Sequence, residues 1–283
     1  MKKKSRARTL LGVFVFIAVI GFAFTLGIFF NPFQLLNSVS HARISENPEL
    51  KKIYDVNFIM NEQPSGNTNI FLPAHTETSR AQADALAKTF GVTENFTETD
   101  ENFSYSDASG TLIIDKLSQH LRFEAAEKTS VFKTEEINAI DKAAAFAKAH
   151  LGSFEYEDAE IIFASGVYEV NFIERLGNLK NYAFPTRFTL DAAGDVLTLD
   201  YYFPVYDRLS SSPIMSMADA FWELPADVAS PDGSPKVDLQ KCTLVYGYMD
   251  SIVQPCYLFE GEMPNADGTV KNFRCFVRAA QYE

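Results

Sequence analysis

The sequence predicts an α+β fold: a single N-terminal transmembrane helix, followed by helix-on-antiparallel-sheet modules that repeat along the rest of the chain. Three observations carry this expectation. Thr9–Phe30 (TLLGVFVFIAVIGFAFTLGIFF) is a run of 22 residues without a charge. Beyond it, three helical patterns are each followed by short alternating or apolar runs that read as strands. The turns between those runs carry Asp with Gly, as in Asp107-Ala108-Ser109-Gly110, Asp191-Ala192-Ala193-Gly194 and Asp267-Gly268. Gly supplies positive φ there, and the Asp side chain hydrogen-bonds the turn backbone.

At the helical rise, Thr9–Phe30 spans roughly 30 Å, the thickness of a bilayer's hydrocarbon core. Residues 1–8 (MKKKSRAR) place Lys2, Lys3, Lys4, Arg6 and Arg8 in front of it, with no acid in residues 1–30. The positive-inside rule then predicts a cytoplasmic arm and a single-pass cell-membrane anchor, with Asn31–Glu283 outside. A cleaved signal peptide has a shorter apolar region with a small-x-small site close behind it. The plausible site here, Ser40-His41-Ala42, comes well past the end of the run, so an uncleaved anchor is expected. Within the run, Gly21 and Thr25 lie four apart, as do Ala23 and Gly27. That spacing of small residues lets two membrane helices approach closely. Gly21, Ala23, Thr25 and Gly27 are therefore the candidate contact with a partner helix. The plainer reading is that Gly and Ala are simply common in membrane helices.

The chain has 283 residues, 47% hydrophobic and 22% charged, the composition of a globular ectodomain rather than a disordered one. Formal net charge is −12; setting aside the arm's five bases leaves 20 bases against 37 acids outside, or −17. Such a surface repels nucleic acid and anionic lipid heads, so no nucleic-acid partner is expected. The expected organisation is the arm 1–8, the helix 9–30, a stalk 31–47, a first α+β module 48–130, and a second α+β region 131–283 holding two helix-plus-sheet units. Cys242, Cys256 and Cys275 are spaced by 14 and 19, which matches no zinc pattern. Outside the cell a disulfide is permitted, leaving one odd thiol; three buried free thiols are the preferred reading.

Along the chain, Ile53–Met60 alternates as a strand, and Ile70–Pro73 is a short extended piece. Ser79 caps a helix in which Ala83, Leu86, Ala87 and Phe90 have helical spacing and which Gly91 stops. Phe103–Ser106 and Thr111–Lys116 form a hairpin, and Leu121–Ala125 a further strand. Thr134 caps a second helix with Ile137, Ile140, Ala144 and Leu151 on one face, ending at Gly152. His150, at its end, reads as a capping or solvated residue. Strands follow at Ala159–Ala164, Val167–Glu174, Ala183–Leu190 and Val196–Phe203. Ser216 caps a third, shorter helix through Leu224. Thr243–Met249, Cys256–Glu262 and Phe273–Ala279 close the chain as strands.

Catalytic signatures are missing from the sequence: it holds no Gly-x-Ser-x-Gly, no His-Glu-x-x-His, no phosphate loop and no dinucleotide fingerprint. His41, His75, His120 and His150 have no metal-spaced partner, so no catalytic residue, metal or cofactor is expected. Clustered aromatics stand out instead: Tyr201-Tyr202-Phe203-Pro204-Val205-Tyr206 with Arg208, Tyr246-Gly247-Tyr248-Met249, and Tyr257-Leu258-Phe259. Aromatics with Arg mark protein contact surfaces, and they equally mark strands packed under a helix; the second reading is preferred.

The C-terminal segments also carry a resemblance. Ser216-Met217-Ala218-Asp219-Ala220-Phe221-Trp222-Glu223-Leu224, Leu244-Val245-Tyr246-Gly247-Tyr248 and Gln254-Pro255-Cys256-Tyr257-Leu258-Phe259 resemble a helix and two strands of the YycH/YycI group. Tyr257 stands near that group's usual Trp, and its closing Asn-Ala-x-x-Gly is absent. The modules also look like PepSY-type units. The group comprises membrane-anchored accessory proteins of the WalK wall-sensing histidine kinase. The resemblance implies a non-enzymatic regulatory protein of the bacterial envelope. Its implied partner is a two-component sensor histidine kinase or a sister accessory protein, reached through transmembrane and extracytoplasmic contacts. Two alternatives stay open. One is an envelope enzyme, such as a wall hydrolase with an unrecognised carboxylate pair; the other is a PepSY-type extracytoplasmic ligand-binding or inhibitor module.

Overall fold

Strand alternation across one large mixed sheet, with few helices, makes this an α+β protein. The computed structural model describes residues 50–60, 66–74, 76–126, 134–226, 236–265 and 267–281. All belong to one unit, Asn47–Glu283. The basic arm, the apolar run with Gly21, Ala23, Thr25 and Gly27, and the stalk lie outside the described residues, as does the 130/131 boundary. Among the described residues no helix is long and apolar enough to cross a membrane.

In chain order the elements are α1 (Leu50–Ile53), β1 (Tyr54–Val56), β2 (Asn67–Ala74) and α2 (Arg80–Phe90). Then come β3 (Asn95–Glu98), β4 (Asn102–Asp107), β5 (Gly110–Asp115), β6 (His120–Ala125) and α3 (Glu136–Leu151). They are followed by β7 (Asp158–Ala164), β8 (Val167–Leu176), β9 (Leu179–Asp191), β10 (Val196–Tyr202) and β11 (Val205–Pro213). The chain ends in α4 (Met217–Phe221), β12 (Val237–Met249), β13 (Ile252–Pro264) and β14 (Val270–Arg278).

Local chemistry explains the helix ends. Ser79 and Gln82 form a reciprocal capping box at α2, and Gly91 closes it in the left-handed region at φ 71°. Ser216 caps α4 by accepting from the Asp219 N–H at 3.0 Å. Thr134 does not cap α3: the N-cap is Glu135, without a side-chain bond. Thr134 is instead fixed by its backbone, whose N–H donates to Ala192 O while its carbonyl accepts from the Tyr168 hydroxyl. The face expected on α3 is met by Ala144, which is buried, and by Ile140 and Leu151, which pack against the core, but not by Ile137. Ala139, Ala143, Ala144 and Ala147 are its buried residues, and Ile137 is 58% exposed. The small side chains bring the helix close to the sheet, and a larger Ile on that stripe would hold it off.

The sheet runs β11-β2-β13-β12-β9-β10-β6-β5-β4-β3, with β1 on β12, β14 on β13, and β8 and β7 continuing from β9. The expectation of antiparallel sheet is corrected to mixed: β1–β12 and β12–β9 are parallel pairs. Period-2 alternation carries no strand direction, and both pairs join segments far apart in sequence. One expected strand changes as well: of Ile53–Met60, Ile53 ends the helical turn α1 and only Tyr54–Val56 is strand, while β3 and β11 arise where no strand was expected.

Alternation sorts the two faces of the sheet. Leu112, Phe123, Leu199, Phe188 and Val170 are successive cross-strand partners on β5, β6, β10, β9 and β8, and all are buried in the core under α2 and α3. The neighbouring register gives Ile113, Arg122, Asp200, Arg187, Asn171 and Glu160 across β5 to β7. That row is the mostly polar reverse face, as an antiparallel region covered on one side requires.

Candidate functional site

Two groups of side chains combine exposure with unusual chemistry. The first lies on the reverse face. His120 and Tyr202 are direct cross-strand partners, stacked with ring centroids 4.3 Å apart. Tyr202 continues to Phe184 at 5.3 Å, and Phe184 to Tyr248 at 5.0 Å. His120 Nε2 lies 3.2 Å from Asp200 Oδ1. Tyr248, at the end of this row, is 49% exposed. A half-exposed aromatic row edged by Arg122 and Arg187 has the composition of a protein contact surface.

The second group sits in the middle of the strand order, around the junction of β12 with β9. Here β12 joins β9 at one pair, Tyr246–Asn181, and β13 joins β2 at one pair, Val253–Phe71. Buried Asn181 donates from Nδ2 to the Tyr206 hydroxyl at 2.8 Å and accepts from Ala183 N–H at 3.1 Å. The Phe71 ring packs on Tyr206 at 6.0 Å and on Tyr246 at 5.4 Å. Directly across from Asn181, on β8, stands Glu174. A register shift between Phe172 and Glu174 breaks the ladder there.

Glu174 is half-buried, and no described residue makes a hydrogen bond or ion pair with its carboxylate. Burial raises its pKa. Burial also raises Tyr201, and pushes Tyr206 up to about 12; the nearby charge of Glu174 adds to both. The neighbouring cations are committed elsewhere. Arg175 and Lys180 are the next ladder pair, so alternation turns them to the opposite face. There Arg175 pairs with Glu157 at 2.8 Å and Lys180 with Asp158 at 2.6 Å.

A third cluster is structural. Arg274 on β14 makes a two-pronged bond to Glu160 on β7, at 2.7 and 2.8 Å, and reaches Glu260 at 3.3 Å. The Tyr182 hydroxyl donates to Glu160 at 3.0 Å. Glu160 and Glu260 are two carboxylates that converge, and the guanidinium fills the place between them, as in a bridge that ties two sheet edges.

Of the aromatics singled out in the sequence, Tyr201 packs on the core, Tyr202 faces the reverse side, and Tyr206 enters the seam. Tyr246 and Tyr257 are buried. His150 is neither a solvated residue nor a cap of its own helix. Its ring stacks on Phe90 and Phe146 at 4.8 and 4.2 Å, and Nδ1 lies 2.7 Å from Thr89 O, which locks α3 to α2. All three cysteines are free. Cys242 and Cys275 are both partners of Phe259 from opposite sides, so two strand spacings, roughly 9.6 Å, separate them. A disulfide needs Cα atoms within about 7 Å. Glu174 and Asn181 were not singled out in the sequence. The signal was there for Glu174: it continues the alternation of Val170 and Phe172, where an apolar residue belongs.

No family model and no curated protein matches the chain. Among solved structures, it is similar to an uncharacterized protein from Eubacterium rectale ATCC 33656. That match has a TM-score of 0.49 and 12% identity, and covers 80% of this chain and 87% of the other. It is also similar to the YpeB C-terminal domain of Bacillus megaterium, with a TM-score of 0.46 and 16% identity, covering 72% of this chain and 94% of that domain.

Proposed function

We propose that this chain is a non-enzymatic, membrane-anchored regulatory protein of the bacterial envelope, with its α+β region outside. In this reading it biases a membrane sensor histidine kinase, or a sister accessory protein, between two states through contacts in the membrane and outside it. The YycH/YycI-like character and the reading of the helix-plus-strand runs as PepSY-like modules belong to this proposal. The observation that carries it is the arm of five positive charges followed by 22 uncharged residues. Together they support the reading of an anchored protein with an outward domain. The aromatic row ending at Tyr248 supplies an outward contact surface. Gly21, Ala23, Thr25 and Gly27 supply the membrane contact.

The test has two parts. Protease added to intact protoplasts should digest Asn31–Glu283 and spare the arm; a protected large domain refutes the orientation. A photo-crosslinker at Tyr248 should then capture a membrane protein in the native host, and the double variant Tyr202→Ala/Phe184→Ala should abolish that capture. Digestion without any Tyr248-dependent crosslink would refute the contact surface while leaving the anchor standing. The ligand-binding alternative also has an observation in its favour, the unpaired carboxylate of Glu174 among tyrosines.

A further inference from the structure

Carboxylates that are removed from water are normally paired or hydrogen-bonded, because the charged form loses its hydration. Glu174 departs from this. It is half-buried at the seam, without an ion pair or hydrogen bond among the described residues, while Arg175 and Lys180 beside it are held by Glu157 and Asp158 on the other face. Asn181, directly across the ladder from Glu174, holds the Tyr206 hydroxyl beside it, and Tyr201 lies on the core-facing side of β10, two strands away from Glu174 across β9. The Tyr206 hydroxyl oxygen accepts from Asn181, which fixes the ring in place.

We propose that Glu174, with the phenol rings of Tyr201 and Tyr206, binds an organic cation: a primary ammonium group, as on a lysine side chain of a partner or on a free amine. The chemistry selects this class. An ammonium needs one carboxylate for its charge and gains from aromatic faces close by. A hard metal ion needs several oxygen ligands, and no group of three metal-binding side chains exists among the described residues. An anion is repelled by Glu174 itself. The outward charge of −17 raises the local concentration of cations around the whole domain. The inference deepens the regulatory reading by naming what a partner presents to the seam, and it rests on that reading only for the partner.

The test uses the full chain in nanodiscs, labelled with 13C at the tyrosine ζ carbons; Tyr201→Phe and Tyr206→Phe assign the two signals. Three probes are titrated at constant ionic strength: butylammonium, Nα-acetyl-lysine methylamide, and the same compound with its Nε acetylated. Saturable shifts of the Tyr201 and Tyr206 signals by an ammonium probe, with at least tenfold weaker binding of the acetylated one, are expected. Glu174→Gln keeps the side-chain volume and should weaken binding at least tenfold; Glu174→Asp keeps the charge and should retain part of it. Binding of butylammonium but not of the lysine derivative supports the cation site and assigns it to free amines; binding of the lysine derivative supports it and assigns it to a partner side chain. The proposal is overturned if neither ammonium probe shifts the signals, if the acetylated probe binds equally, or if Glu174→Gln binds like the parent. None of these readouts depends on membrane orientation, so failure here and failure of the protoplast test are separate results.

Discussion

Gly261 on β13 and Gly247 on β12 lie in the same hairpin and should respond very unequally to alanine. At Gly261, a Cβ would collide with the carbonyl oxygen of Asp238 and come within 2.9 Å of Asp238 C and Leu239 Cα, all backbone. The register shift between Leu239 and Lys241 is what presses β12 onto this position. Backbone cannot rotate aside, so relief requires the strands to part by about an ångström. That weakens two ladder hydrogen bonds, each worth about 1 kcal/mol, and adds overpacking strain of about 1–3 kcal/mol. The sum, about 3–5 kcal/mol, is a large share of a typical domain's stability of about 5–15 kcal/mol. At Gly247 the new Cβ would meet the Cys256 sulfur at 3.1 Å and the Phe276 ring at 3.5 Å, both side chains that can shift. Gly247→Ala should therefore change stability by less than about 1 kcal/mol. Urea unfolding of the detergent-solubilised chain, followed by near-UV circular dichroism, measures both. Equal effects at the two positions, or a Gly261→Ala effect under about 1 kcal/mol, would refute the clash argument.

Three further outcomes follow from the same structure. In the β12–β13 turn, Asp250 and Ser251 both have positive φ, 54° and 65°. Ser251→Gly should raise stability by about 0.5–1 kcal/mol, the left-handed penalty less the added unfolded-chain entropy; a loss of stability contradicts it. Burial raises the folded pKa of Glu174, so the folded state holds that proton more tightly than the unfolded chain. Stability must then fall as pH rises from the ordinary Glu value, about 4.3, through the raised folded value, and the penalty is complete above it. Glu174→Gln should remove that slope and be the more stable form at neutral pH; an unchanged pH profile in urea titrations would sink this account. Burial pushes the thiols of Cys242 and Cys256 up to about 12. Iodoacetamide should label them at pH 8 only after unfolding, and dithiothreitol should leave the melting temperature unchanged; rapid native labelling would contradict their burial.

Local signals made most of the elements legible. Ser79 and Gly91 fixed α2, Ser216 fixed α4, and Asp107–Gly110 fixed the β4–β5 turn, because caps and turns are decided by residues that touch one another in sequence. What stayed hidden depends on distant partners. β11 exists because Tyr206 and its neighbours find β2, more than 130 residues earlier in the chain. On α3, Ile140, Ala144 and Leu151 face the core as expected, and Ile137 alone was misplaced: it is more hydrophobic than Ala143, whereas the packing there rewards small size. Glu174 was passed over as an ordinary charge in a strand. Its significance comes from Tyr201 and Tyr206, which arrive from other strands.

The seam deserves weight because backbone does little there. One pair links β12 to β9, and one links β13 to β2, against eleven between β12 and β13. Side chains therefore carry the joint between β12 and β9: Arg274 to Glu160 and Asn181 to Tyr206. Glu174 and Tyr201 belong to strands on one side of it, and Tyr206 to the strand pair on the other. A cation between them would touch both sides at once, and its binding free energy would add directly to the stability of the joint. A ligand that instead bound within either side alone would have no such leverage, since it would see the same surface whether the joint were tight or loose. The place of Glu174 at this line would link the proposed cation binding to the tightness of the joint.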